Sequence, residues 1–267
     1  MLALYMYICY YKNMNDQNKQ TSTISNRDDI LVDIAVETDS RVQNFTKDFH
    51  QGLQFISKYS NSVTVFGSAR FTEDHPEYIK ARELGGLLAK FGHPVITGGS
   101  KGIMEAANRG AFENGGESIG LNIQLPHEQS ENGYTTDSMT FKYFAPRKVM
   151  LSYTSGVFVV FPGGFGTLDE LFEIITLVQT SKMPPVSIVL VGTDFWKPLD
   201  SYIRYYLDKE MRTISPEDTS LYYITDDLGE VLTIANQARE RSITEVFEIG
   251  QDHGGPAVSA PTSLIQE

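Results

Sequence analysis

Short apolar runs rich in β-branched residues recur along the chain, and each is separated from the next by a helical pattern. The clearest of these runs are SVTVFG (62–67), PVITGG (94–99), ESIGLNI (117–123), GVFVVFPGG (156–164) and PVSIVLVG (185–192). Strands that lack polar alternation are buried on both faces, which is typical of a parallel sheet covered by helices. We therefore predict an α/β fold, a Rossmann-like doubly wound parallel sheet with helices on both faces.

The segments between these runs complete the predicted organisation. Helices are predicted over 76–92, 103–116, 147–154, 167–182, 195–210 and 226–242, and further strands over 139–144 and 221–225. Apolar residues at three- and four-residue steps predict an N-terminal helical extension of one or two helices over 30–60. The predicted divisions are 1–29 as a disordered or mispredicted N-terminus, 30–60 as the extension, 61–245 as the sheet domain, and 246–267 as a flexible tail.

Charge and cysteine content limit the classes of partner. The formal net charge is −12, which argues against non-specific binding of nucleic acid, because that binding needs a basic surface. The single cysteine, Cys9, excludes an internal disulfide and a cysteine metal cluster, so we expect a cytoplasmic protein. The apolar start, MLALYMYICYY, has eleven residues, whereas a membrane-spanning helix needs about twenty. We expect Met14 to be the true initiator, with a weak membrane-surface anchor as the alternative, and no spanning segment.

Three glycine turns follow predicted strands, at FGSAR (66–70), TGGSKGIMEA (97–106) and FPGGFGTLDE (161–170). In a parallel sheet these turns lie at the carboxyl edge, where open α/β sheets bind ligands near a switch in strand order. Glycine lets backbone N–H groups approach an anion at the start of a helix. Any one turn alone is explained by tight turning, but the three together predict an anion or nucleotide site. Neither G-x-x-x-x-G-K-[ST] nor a G-x-G-x-x-G after the first strand occurs, which disfavours an NTPase or a dehydrogenase.

Charged residues beside these turns each have two interpretations. Arg147 and Lys148, at the start of a predicted short helix, are either a solvated basic pair or a clamp on a phosphate. Glu170 either stabilises the helix dipole together with Asp169, or directs a carboxylate at the sugar of a bound nucleotide. A carboxylate is useful there because cleavage of a glycosidic bond builds positive charge at the anomeric carbon.

The segment PGGFGTLDE (162–170) resembles the PGGxGTxxE signature of the LOG family, the cytokinin riboside 5′-monophosphate phosphoribohydrolases, whose members often carry the name lysine decarboxylase. APRKVM (145–150) is similar to the family's RK segment, and the first and second glycine turns resemble those of the family in the same order. The resemblance covers roughly 62–210 and, with the N-terminal extension, is closest to the longer bacterial branch.

The resemblance implies hydrolysis of the N-glycosidic bond of a nucleoside 5′-monophosphate, AMP or N6-substituted AMP, to a free base and ribose 5-phosphate. It implies that Arg147 and Glu170 are catalytic, with Arg147 either pairing with Glu170 or neutralising the phosphate. The residues that it implies for the phosphate are Gly163, Gly164, Gly166, Thr167 and Lys148. Those implied for the rest of the nucleotide pocket are Gly67, Ser68, Gly98, Gly99, Gly102 and, near the base, Met104. No metal and no organic cofactor are expected, and no pyridoxal phosphate site is evident.

Three questions stay open at this level. A broad nucleosidase of purine and pyrimidine monophosphates shares these motifs, and a non-catalytic protein that binds a nucleotide or a phosphorylated cofactor could use the same fold. The second turn departs from the family pattern, since Ser100 and Lys101 stand where glycine and commonly proline occur. A homo-oligomer is also implied, and the apolar helix 167–182 either forms its interface or packs on its own sheet.

Overall fold

The computed structural model describes residues 27–125, 131–153 and 155–238, with side chains from residue 40 onward. The predicted N-terminal segment 1–29 lies outside the described residues as far as residue 26, and the predicted tail 246–267 lies outside them entirely. Contacts divide the chain into two compact units, Met1–Asn44 and Phe45–Glu267. The described part of the first unit is helical, and the second unit contains the sheet.

Seven parallel strands form a single sheet in the described part of the chain. They are β1 (Val63–Phe66), β2 (Val95–Thr97), β3 (Ser118–Ile123), β4 (Asp137–Phe141), β5 (Val157–Val160), β6 (Ser187–Val191) and β7 (Tyr223–Thr225). Their order is β4-β3-β2-β1-β5-β6-β7, and every neighbouring pair is parallel. The predicted Rossmann-like α/β fold is confirmed.

Strand β1 lies at the centre of the sheet, where the strand order reverses. Val63 pairs with Val95 of β2 on one side and with Val157 of β5 on the other. The chain builds outward from β1 to β4, returns to place β5 beside β1, and then builds outward on the other side. Ligands of open α/β sheets bind at this kind of switch point.

The described helices connect all successive strands except β3 and β4, and one further helix precedes β1 while another follows β7. They are α1 (Arg27–Ile56), α2 (Pro76–Lys90), α3 (Ile103–Glu113), α4 (Phe144–Tyr153), α5 (Phe165–Gln179), α6 (Thr193–Tyr202) and α7 (Leu228–Gln237). Helix α6 continues into a π-helical stretch, Ile203–Glu210, and a 3₁₀ helix follows at Pro216–Ser220. Among the described helices, none is both long and apolar enough to cross a membrane.

Among the helix starts that differ from the prediction, two lie next to predicted site residues. Helix α4 begins at Phe144, three residues earlier than predicted, so Arg147 and Lys148 lie inside it. Helix α5 begins at Phe165, two residues earlier than predicted. The glycine turn before this helix is therefore shorter than predicted, because Phe165 and Gly166 already belong to the first helical turn.

The core lies in two layers because alternate strand residues point to opposite faces of the sheet. Val157 and Val159 pack with helices α2, α3 and α7, whereas Phe158 and Val160 pack with α4, α5 and α6. All four residues of β5 are buried, as the absence of polar alternation predicts. Helices α4 and α5 therefore share one face of the sheet.

Candidate active site at the carboxyl edge of the sheet

The three glycine turns meet directly after β1, β2 and β5. The Ser68 N–H donates to the Pro162 carbonyl at 3.0 Å, which joins the first turn to the third. The Ile103 N–H donates to the Ser68 carbonyl at 2.9 Å, which joins the first turn to the second. The first turn is not followed directly by a helix, because α2 begins only at Pro76. Of these three turns, only the second and the third lead directly into a helix.

Gly102 permits the close contact between the first and second turns. Its φ is 68° and its ψ is −130°, a backbone conformation that residues other than glycine rarely adopt. A Cβ at this position would collide with the Ser68 carbonyl oxygen and lie 2.8 Å from the Ala69 Cα. Gly67 is similarly enclosed, since a Cβ there would lie 2.6 Å from Ile103 Cγ2. Because these two predicted pocket residues have no side chain, the first and second turns can approach each other closely.

The third turn leaves open space at the start of α5. Gly164 is the N-cap of α5 and makes no side-chain cap, and a Cβ at Gly164 or Gly166 would meet no atom within 4 Å. The first N–H groups of a helix have no acceptor within the helix and carry the positive end of its dipole. An anion can therefore approach this helix start without displacing a side chain.

Thr167 and Gly163 are packed together behind that open space. A Cβ at Gly163 would lie 2.6 Å from the Thr167 Cβ, and Thr167 is only 7% exposed. The threonine side chain thus fills the space that a larger residue at 163 would need. Of the four predicted phosphate-binding residues in this turn, Gly164 and Gly166 border the open space, while Gly163 and Thr167 shape its base.

Arg147 reaches across the carboxyl ends of two strands from α4. Its Nε donates to the Leu121 carbonyl at 2.6 Å, and its Nη2 donates to the Gly98 carbonyl at 3.2 Å. A Cβ at Gly98 would run into Nη2 and lie 2.8 Å from the Met104 sulfur. The structure thereby brings together three predicted site residues, Arg147, Gly98 and Met104. Burial lowers the pKa of Arg147, although the nearby Glu170 carboxylate acts in the opposite direction.

Glu170 points inward from the second turn of α5. Its side chain is 15% exposed, and Oε2 is buried with no hydrogen-bond donor among the described residues. Burial raises the pKa of Glu170 to about 7, and the negative charges of Glu173 and Asp169 act in the same direction. Lys148 and Arg147 oppose that shift. A carboxyl group that exchanges its proton near neutral pH is suited to general acid–base work.

Lys148 is the cation within ion-pair distance of Glu170, at 3.8 Å between Nζ and Oε2. Its Nζ also donates to Asp169 Oδ2 at 2.7 Å and lies 2.5 Å from Glu173 Oε2. Sequence reasoning did not single out Glu173. The available signal was its spacing three residues after Glu170, which places both carboxylates on neighbouring parts of one helix surface.

Comparison with known proteins agrees with these motifs. Residues 104–234 match a family model described as possible lysine decarboxylase. A cytokinin riboside 5′-monophosphate phosphoribohydrolase of Mycobacterium tuberculosis is 30% identical over 183 residues, which cover 64% of this chain and 91% of that protein. The protein of the same name from Rhodococcoides fascians is 26% identical over 148 residues, covering 54% and 74%. The chain belongs to the LOG family.

A solved structure supports the same fold for this LOG family protein. The X-ray structure of TM1055 superposes with a TM-score of 0.50 at 23% identity, covering 66% of this chain and 98% of that one. At this identity the likeness concerns the architecture of the sheet and its helices.

The second turn of this LOG family protein is held by a buried polar network that sequence reasoning missed. The Asn132 N–H donates to the Gly99 carbonyl at 3.0 Å, and its side-chain Nδ2 donates to the Ser100 carbonyl at 3.1 Å. The Gly99 N–H in turn donates to the Thr97 hydroxyl at 2.9 Å. Ser100 is thus buried within the network, whereas Lys101 is exposed. Asn132 lies in a loop-rich stretch with no periodicity, so no local pattern indicates its role.

Proposed function

We propose that the protein hydrolyses the N-glycosidic bond of a nucleoside 5′-monophosphate and releases a free base and ribose 5-phosphate. The observation that carries the proposal is the buried Glu170 carboxyl group, whose pKa is raised to about 7, placed one turn beyond an open helix start. The names of the M. tuberculosis and R. fascians relatives support the same activity.

Binding of the 5′-phosphate follows from the start of α5. Backbone N–H groups of its first turn, at Gly166 and its neighbours, face an opening that no side chain fills. Arg147 adds a fixed positive charge at the edge of the sheet. A guanidinium has five N–H donors, of which the Leu121 and Gly98 carbonyls occupy two, so donors are left for the phosphate or the ribose.

Glu170 acts on the sugar in this proposal. As the bond between C1′ and the base nitrogen breaks, its electron pair leaves with the base and positive charge grows on the ribose ring. The ionised carboxylate stabilises that charge and accepts a proton from the water that adds to C1′. The departing base takes up one proton from solvent, and Glu170 returns to solvent the proton that it accepted from water, so one water is consumed and the products are ribose 5-phosphate and the neutral base.

The test is an assay of free base release from AMP and isopentenyl-AMP. Glu170→Gln should lower turnover about 10²- to 10⁴-fold, the range for loss of a general base, while AMP still binds in calorimetry. Glu83→Gln is a matched control, since Glu83 is an exposed acid on α2. Full turnover by Glu170→Gln would contradict the assigned role. Binding of AMP by the wild-type protein without any base release would favour a non-catalytic nucleotide-binding protein instead.

The range of bases accepted is tested by the same assay. A panel of purine and pyrimidine monophosphates, compared by kcat/KM, separates a cytokinin-type preference for N6-substituted AMP from a broad nucleosidase. We propose the AMP-type substrates because the named relatives act, by their names, on a cytokinin riboside 5′-monophosphate.

The proposal includes a homo-oligomer. One side of α5 packs on the sheet through Leu171, Ile174 and Val178, which leaves Phe165 and Phe172 exposed on that helix. Phe165 is 93% exposed and lies in the first turn of α5, beside the opening for the phosphate. Light scattering of the full chain should report a dimer or a larger assembly, and a monomer at micromolar concentration would contradict this part of the proposal.

A further inference from the structure

Lys148 is surrounded by three carboxylates that all come from α5. Its Nζ lies 2.7 Å from Asp169 Oδ2, 2.5 Å from Glu173 Oε2 and 3.8 Å from Glu170 Oε2. Its side chain is 22% exposed, so these contacts are partly shielded from water. The lysine therefore spans from α4 to α5 at the level of the proposed catalytic carboxyl group.

These contacts are poorly suited to binding a phosphate. An ammonium group has three N–H donors, and here Asp169 accepts one of them while Glu173 and Glu170 both lie within ion-pair distance of Nζ. A phosphate that approached Nζ would meet the negative charge of all three carboxylates. The open start of α5 offers the phosphate a site that does not require this approach.

We propose that Lys148 is a positioning residue for Glu170, which it keeps ionised and separated from Asp169 and Glu173, and that it is not a ligand of the phosphate. This inference rests on the proposed function, because it concerns how the general base of that reaction is held. It assigns to Lys148 a role different from the phosphate contact that the sequence resemblance implies.

The charges around Glu170 make this role measurable. The groups that face it are Arg147 and Lys148 from α4, and Asp169 and Glu173 from its own helix. Arg147 donates to the Leu121 and Gly98 carbonyls, whereas Lys148 makes an ion pair with Glu170 directly. Among these neighbours Lys148 lowers the pKa of Glu170 most and Glu173 raises it most. Removal of one charge or the other should therefore move the titration of Glu170 in opposite directions.

The experiment measures kcat/KM for base release from AMP against pH in Lys148→Met, Lys148→Arg and Glu173→Gln. Lys148→Met should move the acidic limb upward by about one pH unit or more, as expected for loss of an opposite charge about 4 Å away. Glu173→Gln should move it downward, and Lys148→Arg should leave it close to the wild-type position. Lys58→Met is the matched control, because Lys58 also makes an ion pair with an aspartate, Asp137, but makes no contact with Glu170.

A second measurement does not depend on activity. The carboxyl titration of Glu170 is followed by infrared difference spectroscopy in the wild type and in Lys148→Met, with Glu170→Gln used to assign the band. An upward shift in Lys148→Met supports the inference even if no substrate is hydrolysed, so failure of the proposed function is distinguishable from failure of this role. If Lys148→Met does not fold, the downward shift in Glu173→Gln carries the test.

Two results would overturn the inference. One is a raised KM for AMP in Lys148→Met with an unmoved acidic limb and an unmoved Glu170 band, which would identify Lys148 as a phosphate ligand. The other is a shift of the same sign in Lys148→Met and Glu173→Gln, which would mean that charge at these positions does not set the ionisation of Glu170.

Discussion

Replacement of Glu170 by glutamine should make the protein more stable above neutral pH while it lowers the proposed activity. The pKa of Glu170 is raised from an ordinary 4.5 to about 7, mainly because burial disfavours the charged form. Between these two values the folded protein binds the proton more tightly than the unfolded chain does. The contribution of this group to stability is therefore complete below pH 4.5, falls as the pH rises towards 7, and levels off above it.

The size of the effect follows from the two pKa values. A difference of about 2.5 pKa units at about 1.36 kcal/mol per unit gives about 3 kcal/mol of lost stability at pH 8. Glutamine fills nearly the same volume and does not ionise, so it does not incur this loss. Lys148 keeps Asp169 and Glu173 as partners in the variant. Relative to the wild type, Glu170→Gln should gain up to about 3 kcal/mol at pH 8 and less than about 1 kcal/mol at pH 5.

The assay is urea unfolding at the two pH values, followed by the fluorescence of Trp196. This residue is the only tryptophan in the sequence, and it is fully buried with its Nε1 donating to the Val191 carbonyl at 3.0 Å. Comparison of variant with wild type at each pH cancels the titration of all other groups. Glu83→Gln, at an exposed position, should show no difference between the two pH values. Equal stabilisation at pH 5 and pH 8, or destabilisation at pH 8, would refute the reasoning.

Two further predictions concern the backbone and the cation of the site. Gly92→Ala should lower the free energy of unfolding by about 1–2 kcal/mol, because Gly92 has a φ of 80°. The added Cβ would meet no neighbouring atom, so only the backbone strain counts. Gly102→Ala should lower the free energy of unfolding by at least about 1–3 kcal/mol more than Gly92→Ala in the same urea assay, since its Cβ would also collide with the Ser68 carbonyl. Equal losses in the two variants would contradict the role given to Gly102. Arg147→Lys should lower kcat/KM for base release about 10- to 100-fold, because one ammonium group cannot reproduce a guanidinium fork that bonds both the Leu121 and the Gly98 carbonyl. An unchanged kcat/KM would contradict this prediction.

The sequence predicts the sheet well because its signal is local. A strand such as GVFVVFPGG carries both its burial and its ending within nine residues, and the structure places β5 at Val157–Val160. The starts of two helices are less predictable. Pro146 interrupts the apparent start of α4, yet a residue without an N–H is tolerated in the first turn, where the N–H has no helical acceptor anyway. Gly166 likewise has a low helix propensity that its position in the first turn of α5 overrides.

The sequence predicts which residues belong to the site better than it predicts which of them contact each other. Glu170 and Arg147 follow from motifs, but the partner that lies within ion-pair distance of Glu170 is Lys148. That choice depends on how α4 and α5 face each other, which no spacing along the chain specifies. Asn132 was missed for the same reason, since it bonds a residue from a different part of the fold, whereas the spacing of Glu173 from Glu170 was visible but its contact with Lys148 was not.

The order of the strands is what turns three separate motifs into one site. Neighbouring strands lie about 5 Å apart, so turns on three adjacent strands fall within about 10 Å, a distance that one small ligand can span. The second and third turns follow β2 and β5, which are the two neighbours of β1. A third turn on the edge strand β7 would lie about 15 Å from the first. The return of the chain from β4 to β5 also places α4 on the same face as α5, which is why its basic residues reach Glu170. A chain with the same motifs in another strand order would therefore lose the site although every residue were present.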